Sequence, residues 1–146
     1  MTAVAVGLTV LAGLAGAVQV AVMGRFGARI GVVEALTFAT AVQHLLAVTI
    51  LLVLRLGTGG LGSAFRAPPW LWLGGLMGLG LVFAITFAQP RIGASATIGI
   101  LVAGQFVMSA VIDRFGLFGV EQIGISWTRA LGIGLLGVGA ALTLAR

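Results

Sequence analysis

Cysteine, lysine and tyrosine are absent from this 146-residue chain, and acids number three: Glu34, Asp113 and Glu121. Without cysteine there is no disulfide framework, no thiol nucleophile and no cysteine metal site. One histidine and three scattered acids offer too few ligands for a metal. No carboxylate pair sits at catalytic spacing and no phosphate-cradling glycine motif appears, so the sequence predicts neither an enzyme nor a cofactor. The net charge of +5 comes from eight arginines. They stand singly between apolar runs and form no basic patch, which argues against a nucleic-acid partner.

What is present is apolar. Hydrophobic residues make up 60% of the chain and charged residues 8%, with a mean hydropathy of +1.24. So few charges cannot clothe a soluble domain of this length, so the solvent is lipid. The fold class predicted is all-α: one transmembrane domain over 1–146, an integral membrane bundle of five helices. The spans fall at about 3–24, 34–55, 69–89, 92–112 and 127–145. A signal peptide at the start would need a basic segment before the apolar run, and MTAVAVG has none. Arg25 and Arg29 read as a short polar loop ending near Gly31. The stretch 57–69, rich in Gly and Ser, reads as the longest non-helical segment. Pro90 and Arg91 read as a tight hinge between the third and fourth spans. Trp70 and Trp72 suit the membrane interface, and Trp127 and Arg129 open the fifth span. No internal repeat is evident.

Small residues recur at four-residue spacing, in Gly13/Ala17/Ala21 and in Ser95/Gly99/Ala103. Such ladders let helix backbones approach closely in lipid, although membrane helices are glycine-rich in any case. Five polar side chains lie inside the spans: Gln19, Gln43, His44, Gln89 and Gln105. An unsatisfied amide in hydrocarbon costs several kcal/mol, so each should face another helix or a wet cavity. Gln19 and Gln105 are the leading candidates for a substrate cavity, with Gln43 and His44 beside them. The alternative is that each amide only bonds a neighbouring helix. His44 is the side chain suited to proton exchange near neutral pH, and a structural role competes with that. Glu34 suits a helix N-terminus, where the macrodipole favours an acid.

The stretch Gly104–Gly119, GQFVMSAVIDRFGLFG, is the most distinctive. It reads as the exit of a helix that carries one amide, Gln105. That helix reaches the headgroups at Asp113 and Arg114 and leaves through a turn at Gly116 and Gly119. It resembles the signature of the YdcZ-type family (domain of unknown function 606). Trp72-Leu73-Gly74-Gly75, Pro90 to Ala94 and Arg129 to Gly132 agree with it, while Met23 departs from the asparagine such proteins often carry there. The resemblance implies a small multi-pass protein of the bacterial cytoplasmic (inner) membrane, in the drug/metabolite transporter superfamily. It implies a small-molecule exporter of unknown substrate. Relatives that expel cationic drugs carry a glutamate within the first helix; here that helix has none.

Five helices are too few to hold two transporter repeats, so the chain is expected to dimerise and to work by alternating access at the dimer interface. With five spans, Arg55, Arg66, Arg114 and Arg129 fall on one side, and Arg25, Arg29, Arg91 and Arg146 on the other. Arginine near helix ends sets orientation, and four against four gives no instruction. Insertion in both orientations, paired as an antiparallel homodimer, would supply the inverted repeat that one chain lacks. The resemblance points the same way, to dual-topology forms. The rival reading is a non-transporting membrane subunit that scaffolds or regulates a partner.

Overall fold

The computed structural model describes residues 2–54 and 59–144, and every regular element among them is helical. These are α1 (Thr2–Ile30), α2 (Val32–Val53), α3 (Gly59–Ala64), α4 (Leu73–Ile92), α5 (Ala94–Phe115) and α6 (Trp127–Leu142), with 3-10 turns at Pro69–Trp72 and Leu117–Gly119. Four segments are long and apolar enough to cross a membrane: Thr2–Ile30, Val32–Val53, Pro69–Ile92 and Ala94–Phe115. The fifth apolar helix, α6, is shorter at 16 residues. Arg55, Gly57, Ala145 and Arg146, which entered the readings of orientation, linker and last span, lie outside the described residues.

Three local expectations change. The first helix does not end before Arg25; it continues through Arg29 to Ile30. Nothing in that stretch forbids helical backbone angles, and arginine is a good helix former. Helix therefore persists until Gly31, whose φ of 105° and ψ of 149° no L side chain adopts readily. Pro90 and Arg91 likewise stay in the last turn of α4, and the break falls at Gly93, φ 83° and ψ 163°. Part of the glycine-rich linker forms the six-residue α3.

The two breaks are built alike. Gly31 N–H donates to Gly27 O at 3.0 Å, and Gly31 O accepts from Ala35 N–H at 3.1 Å. Gly93 N–H donates to Gln89 O at 2.9 Å, and Gly93 O accepts from Thr97 N–H at 3.1 Å. Arg-Ile precedes each glycine. A single residue thus closes one helix and opens the next without stranding its own backbone groups. The sequence does contain a repeat, three residues long, and its meaning lies in backbone geometry.

The chain divides into two units, Met1–Ala21 with Ala88–Arg146, and Val22–Phe87. In Val22–Phe87, Gly27 of α1 packs closely against Thr86 of α4. A Cβ built on Gly27 would lie 2.4 Å from Thr86 Cγ2. Thr86 is fully buried, yet its hydroxyl donates to Val82 O at 2.7 Å, so it presents only a methyl group to the neighbour. Pro90 has no N–H to give the Thr86 carbonyl four residues before it, and Gly27 packs against that carbonyl. Phe26 and Phe38 add an edge-to-face pair at 5.7 Å between α1 and α2.

In the other unit α5 packs on α6. A Cβ on Gly99 would lie 3.3 Å from Ala140 Cα and 3.5 Å from Thr143 Oγ1. Small residues at the crossing let the two backbones come together, which is how helices associate where lipid removes the hydrophobic drive. Gly99→Leu is therefore expected to lower the melting temperature in detergent. An unchanged melting temperature would show that α5 does not depend on this crossing.

Candidate functional site

The junction of α5 and α6 is the most polar assembly among the described residues. Glycine builds it. Gly116 ends α5 in the left-handed region at φ 60°, Phe118 follows at φ 60°, and Gly119 at φ 78°. The chain then doubles back. Ile123 N–H donates to Asp113 O at 2.8 Å, and Gln122 Nε2 donates to Arg114 O at 2.8 Å. These bonds satisfy carbonyls that the end of a helix leaves open. Ser126 caps α6, its hydroxyl accepting from Arg129 N–H at 3.3 Å. Across the turn the Asp113 carboxylate pairs with the Arg129 guanidinium. The acid is nearly buried and the arginine partly exposed, at 14% and 38% of their side-chain surface.

Reading residue by residue set Asp113 beside Arg114, its neighbour. The structure gives it Arg129 instead, sixteen residues on, while Arg114 is exposed. The signal available in the sequence was one acid and one base flanking a glycine-rich turn, which lets them meet.

A groove of about 500 Å³ runs beside the α5–α6 crossing, lined by Ile98, Gly99 and Val102 from α5 and by Leu135, Leu136 and Ala140 from α6, among others. Its walls are apolar. Gln105 stands one turn beyond Val102 on the same face of α5, since positions three, four and seven apart share a helix face.

The intramembrane polar residues fall as follows. Gln19 is half-buried on α1; Gln43 and His44 are exposed on α2; Gln105 is exposed on α5. None of the four makes a side-chain hydrogen bond among the described residues. Gln19 precedes Gly31 by twelve residues, Gln43 follows Gly31 by twelve, and Gln105 follows Gly93 by twelve. Each amide is therefore about 18 Å of helix from a glycine break, at ~1.5 Å per residue. Of the small-residue positions, Gly99 lies against α6, Ala17 and Ala103 are half-buried, and Ser95 is exposed. Gly13 is exposed, with nothing within 4 Å of a Cβ built on it.

A second groove, of about 420 Å³, is lined by Val22, Arg25, Phe26 and Arg29 near the end of α1. Sequence reasoning passed over it because Arg25 and Arg29 were assigned to a loop. As helix, they stand four residues apart on one face.

Over residues 4–142 the chain matches the family model described as "Putative inner membrane exporter, YdcZ". No curated protein and no solved structure shows a significant match to it.

Proposed function

The chain belongs to the YdcZ family and is a multi-pass protein of the inner membrane, and from that premise we propose that it exports a small molecule bound by Gln105 on α5 and Gln19 on α1. The observation that carries this reading is Gln105. It lies midway along a membrane-crossing helix, continues the face of an apolar groove, and has no hydrogen-bond partner among the described residues. An amide at that depth needs a partner, because hydrocarbon supplies none. A substrate that supplies hydrogen-bonding groups meets that need.

Gln19, half-buried on α1 and likewise without a hydrogen-bond partner among the described residues, supports the same reading. His44 adjoins Gln43 on α2 and is the candidate for proton coupling. Between Thr2 and Ile30, α1 holds no carboxylate, so a cationic substrate would find no counter-charge along it.

The finer mechanism is alternating access by an antiparallel homodimer, as drug/metabolite transporters with short chains would require. Exposed amides on α2 and α5 favour it, because a second copy can cover them. A ligand that binds only the native protein raises apparent stability, so a thermal-shift screen in detergent finds the substrate. Transport is then measured in proteoliposomes. Gln105→Leu and Gln19→Leu are each expected to cut transport about fivefold or more with protein levels unchanged, since losing one hydrogen bond to a polar substrate costs about 1–3 kcal/mol. If both variants transport normally, the binding site is misassigned.

A further inference from the structure

We propose that the groove at Val22, Arg25, Phe26 and Arg29 is a binding site for the headgroup of an anionic phospholipid.

The argument begins with length. α1 has 29 residues, about 43 Å of helix, against a hydrocarbon core of ~30 Å and a bilayer of ~40–45 Å with its headgroups. One end must therefore enter the headgroups, and Arg25 and Arg29 stand six and two residues before the Gly31 break. Arginine at that depth meets phosphate.

Next comes the face. Leu11, Leu14, Val18 and Val22 are exposed at 63%, 62%, 64% and 58%. They recur at three- or four-residue steps, and Arg25 and Arg29 continue them. The stripe is therefore one face of α1, apolar until its last two turns and cationic there. From Leu11 to Val22 it measures about 16 Å, close to half of the ~30 Å core. One leaflet's acyl chain lies along that length, and its phosphate then arrives between the two guanidiniums.

The groove itself suits this ligand. Phe26, held edge-on to Phe38 at 5.7 Å, gives it an apolar wall. Neither Arg25 nor Arg29 makes an ion pair among the described residues. Like charges four apart on a helix repel each other, and a bound anion relieves that repulsion. Guanidinium offers planar, paired donors that match phosphate oxygens. The apolar stripe leading into the groove selects a lipid over a free anion. The excess of arginine over acid selects an anionic headgroup over a zwitterionic one.

The test is thermal unfolding of the full chain in detergent, titrated with phosphatidylglycerol, phosphatidylcholine or inorganic phosphate. Phosphatidylglycerol is expected to raise the melting temperature saturably, and the other two to leave it unchanged. Arg25→Gln/Arg29→Gln should weaken the apparent affinity roughly 30-fold, about fivefold for each arginine, while Arg66→Gln leaves it as in wild type. If the double variant does not fold, the two single variants carry the test, each expected to be about fivefold weaker. Equal stabilisation by inorganic phosphate would assign the groove to a free anion. An unchanged affinity in the arginine variants would show that any surface charge suffices. Val18→Trp should leave the oligomeric state alone; a change of state would assign the stripe to a second copy. Each of these three results overturns the proposal.

Discussion

Gly27→Ala will destabilise the protein by about 1–3 kcal/mol, the usual cost of forcing extra volume into a packed site. The new Cβ would sit 2.4 Å from Thr86 Cγ2, so something must move. Thr86 cannot easily do so. It is β-branched, and its hydroxyl is bonded to Val82 O at 2.7 Å, which fixes its rotamer. Alanine's better helix propensity, worth about 1 kcal/mol, offsets only part of the cost. Thr86→Ser removes the offending methyl and keeps the hydroxyl bond. The double variant Gly27→Ala/Thr86→Ser should therefore recover most of the loss, a coupling of about 1 kcal/mol or more in a double-mutant cycle. Gly74→Ala is the control, because a Cβ there meets nothing within 4 Å. Melting in detergent reads all four variants. A double variant no more stable than Gly27→Ala would show that Thr86 is not the obstacle.

Locking the orientation will abolish transport, if the working form is the antiparallel homodimer we propose. Among the described arginines, Arg25, Arg29 and Arg91 adjoin the two glycine breaks, and Arg66, Arg114 and Arg129 lie toward the other helix ends. The balance is even, so a small added bias should decide insertion. Because Arg25 and Arg29 are helical, the added lysines belong on exposed positions beside the break, Ala28→Lys and Val33→Lys. The opposite lock is Gly62→Lys with Ala64→Lys, also exposed. Each locked variant alone is expected to fall to background in proteoliposomes, and co-expression of the two should restore transport. A single locked variant that transports at the full rate would remove the antiparallel model, and so would a wild-type C-terminus accessible from one side only.

Composition by itself determined the solvent and the class. Sixty per cent hydrophobic residues with 8% charge leave lipid as the only medium in which long apolar runs are at rest, and among the described residues every regular element is helical, with four long apolar helices and a shorter one. The run from Gln105 through FGLFG was distinctive enough to resemble one family, and the family match covers residues 4–142. Where the helices stop was less legible. Arginine and proline read as loop residues, yet Arg29 and Pro90 are helical, because a helix ends where backbone angles change, not where polarity does. For α1 and α4 it is Gly31 and Gly93 that supply those angles, and among 24 glycines nothing in the sequence marked them as the points where helix stops. Partners across space were not legible at all. Asp113 meets Arg129 because a turn of positive-φ residues folds the chain back, and Gly27 meets Thr86 because two helices fifty-nine residues apart happen to cross there. Helix periodicity states which residues share a face. Which faces meet is decided by close packing, and that is a property of the assembled bundle.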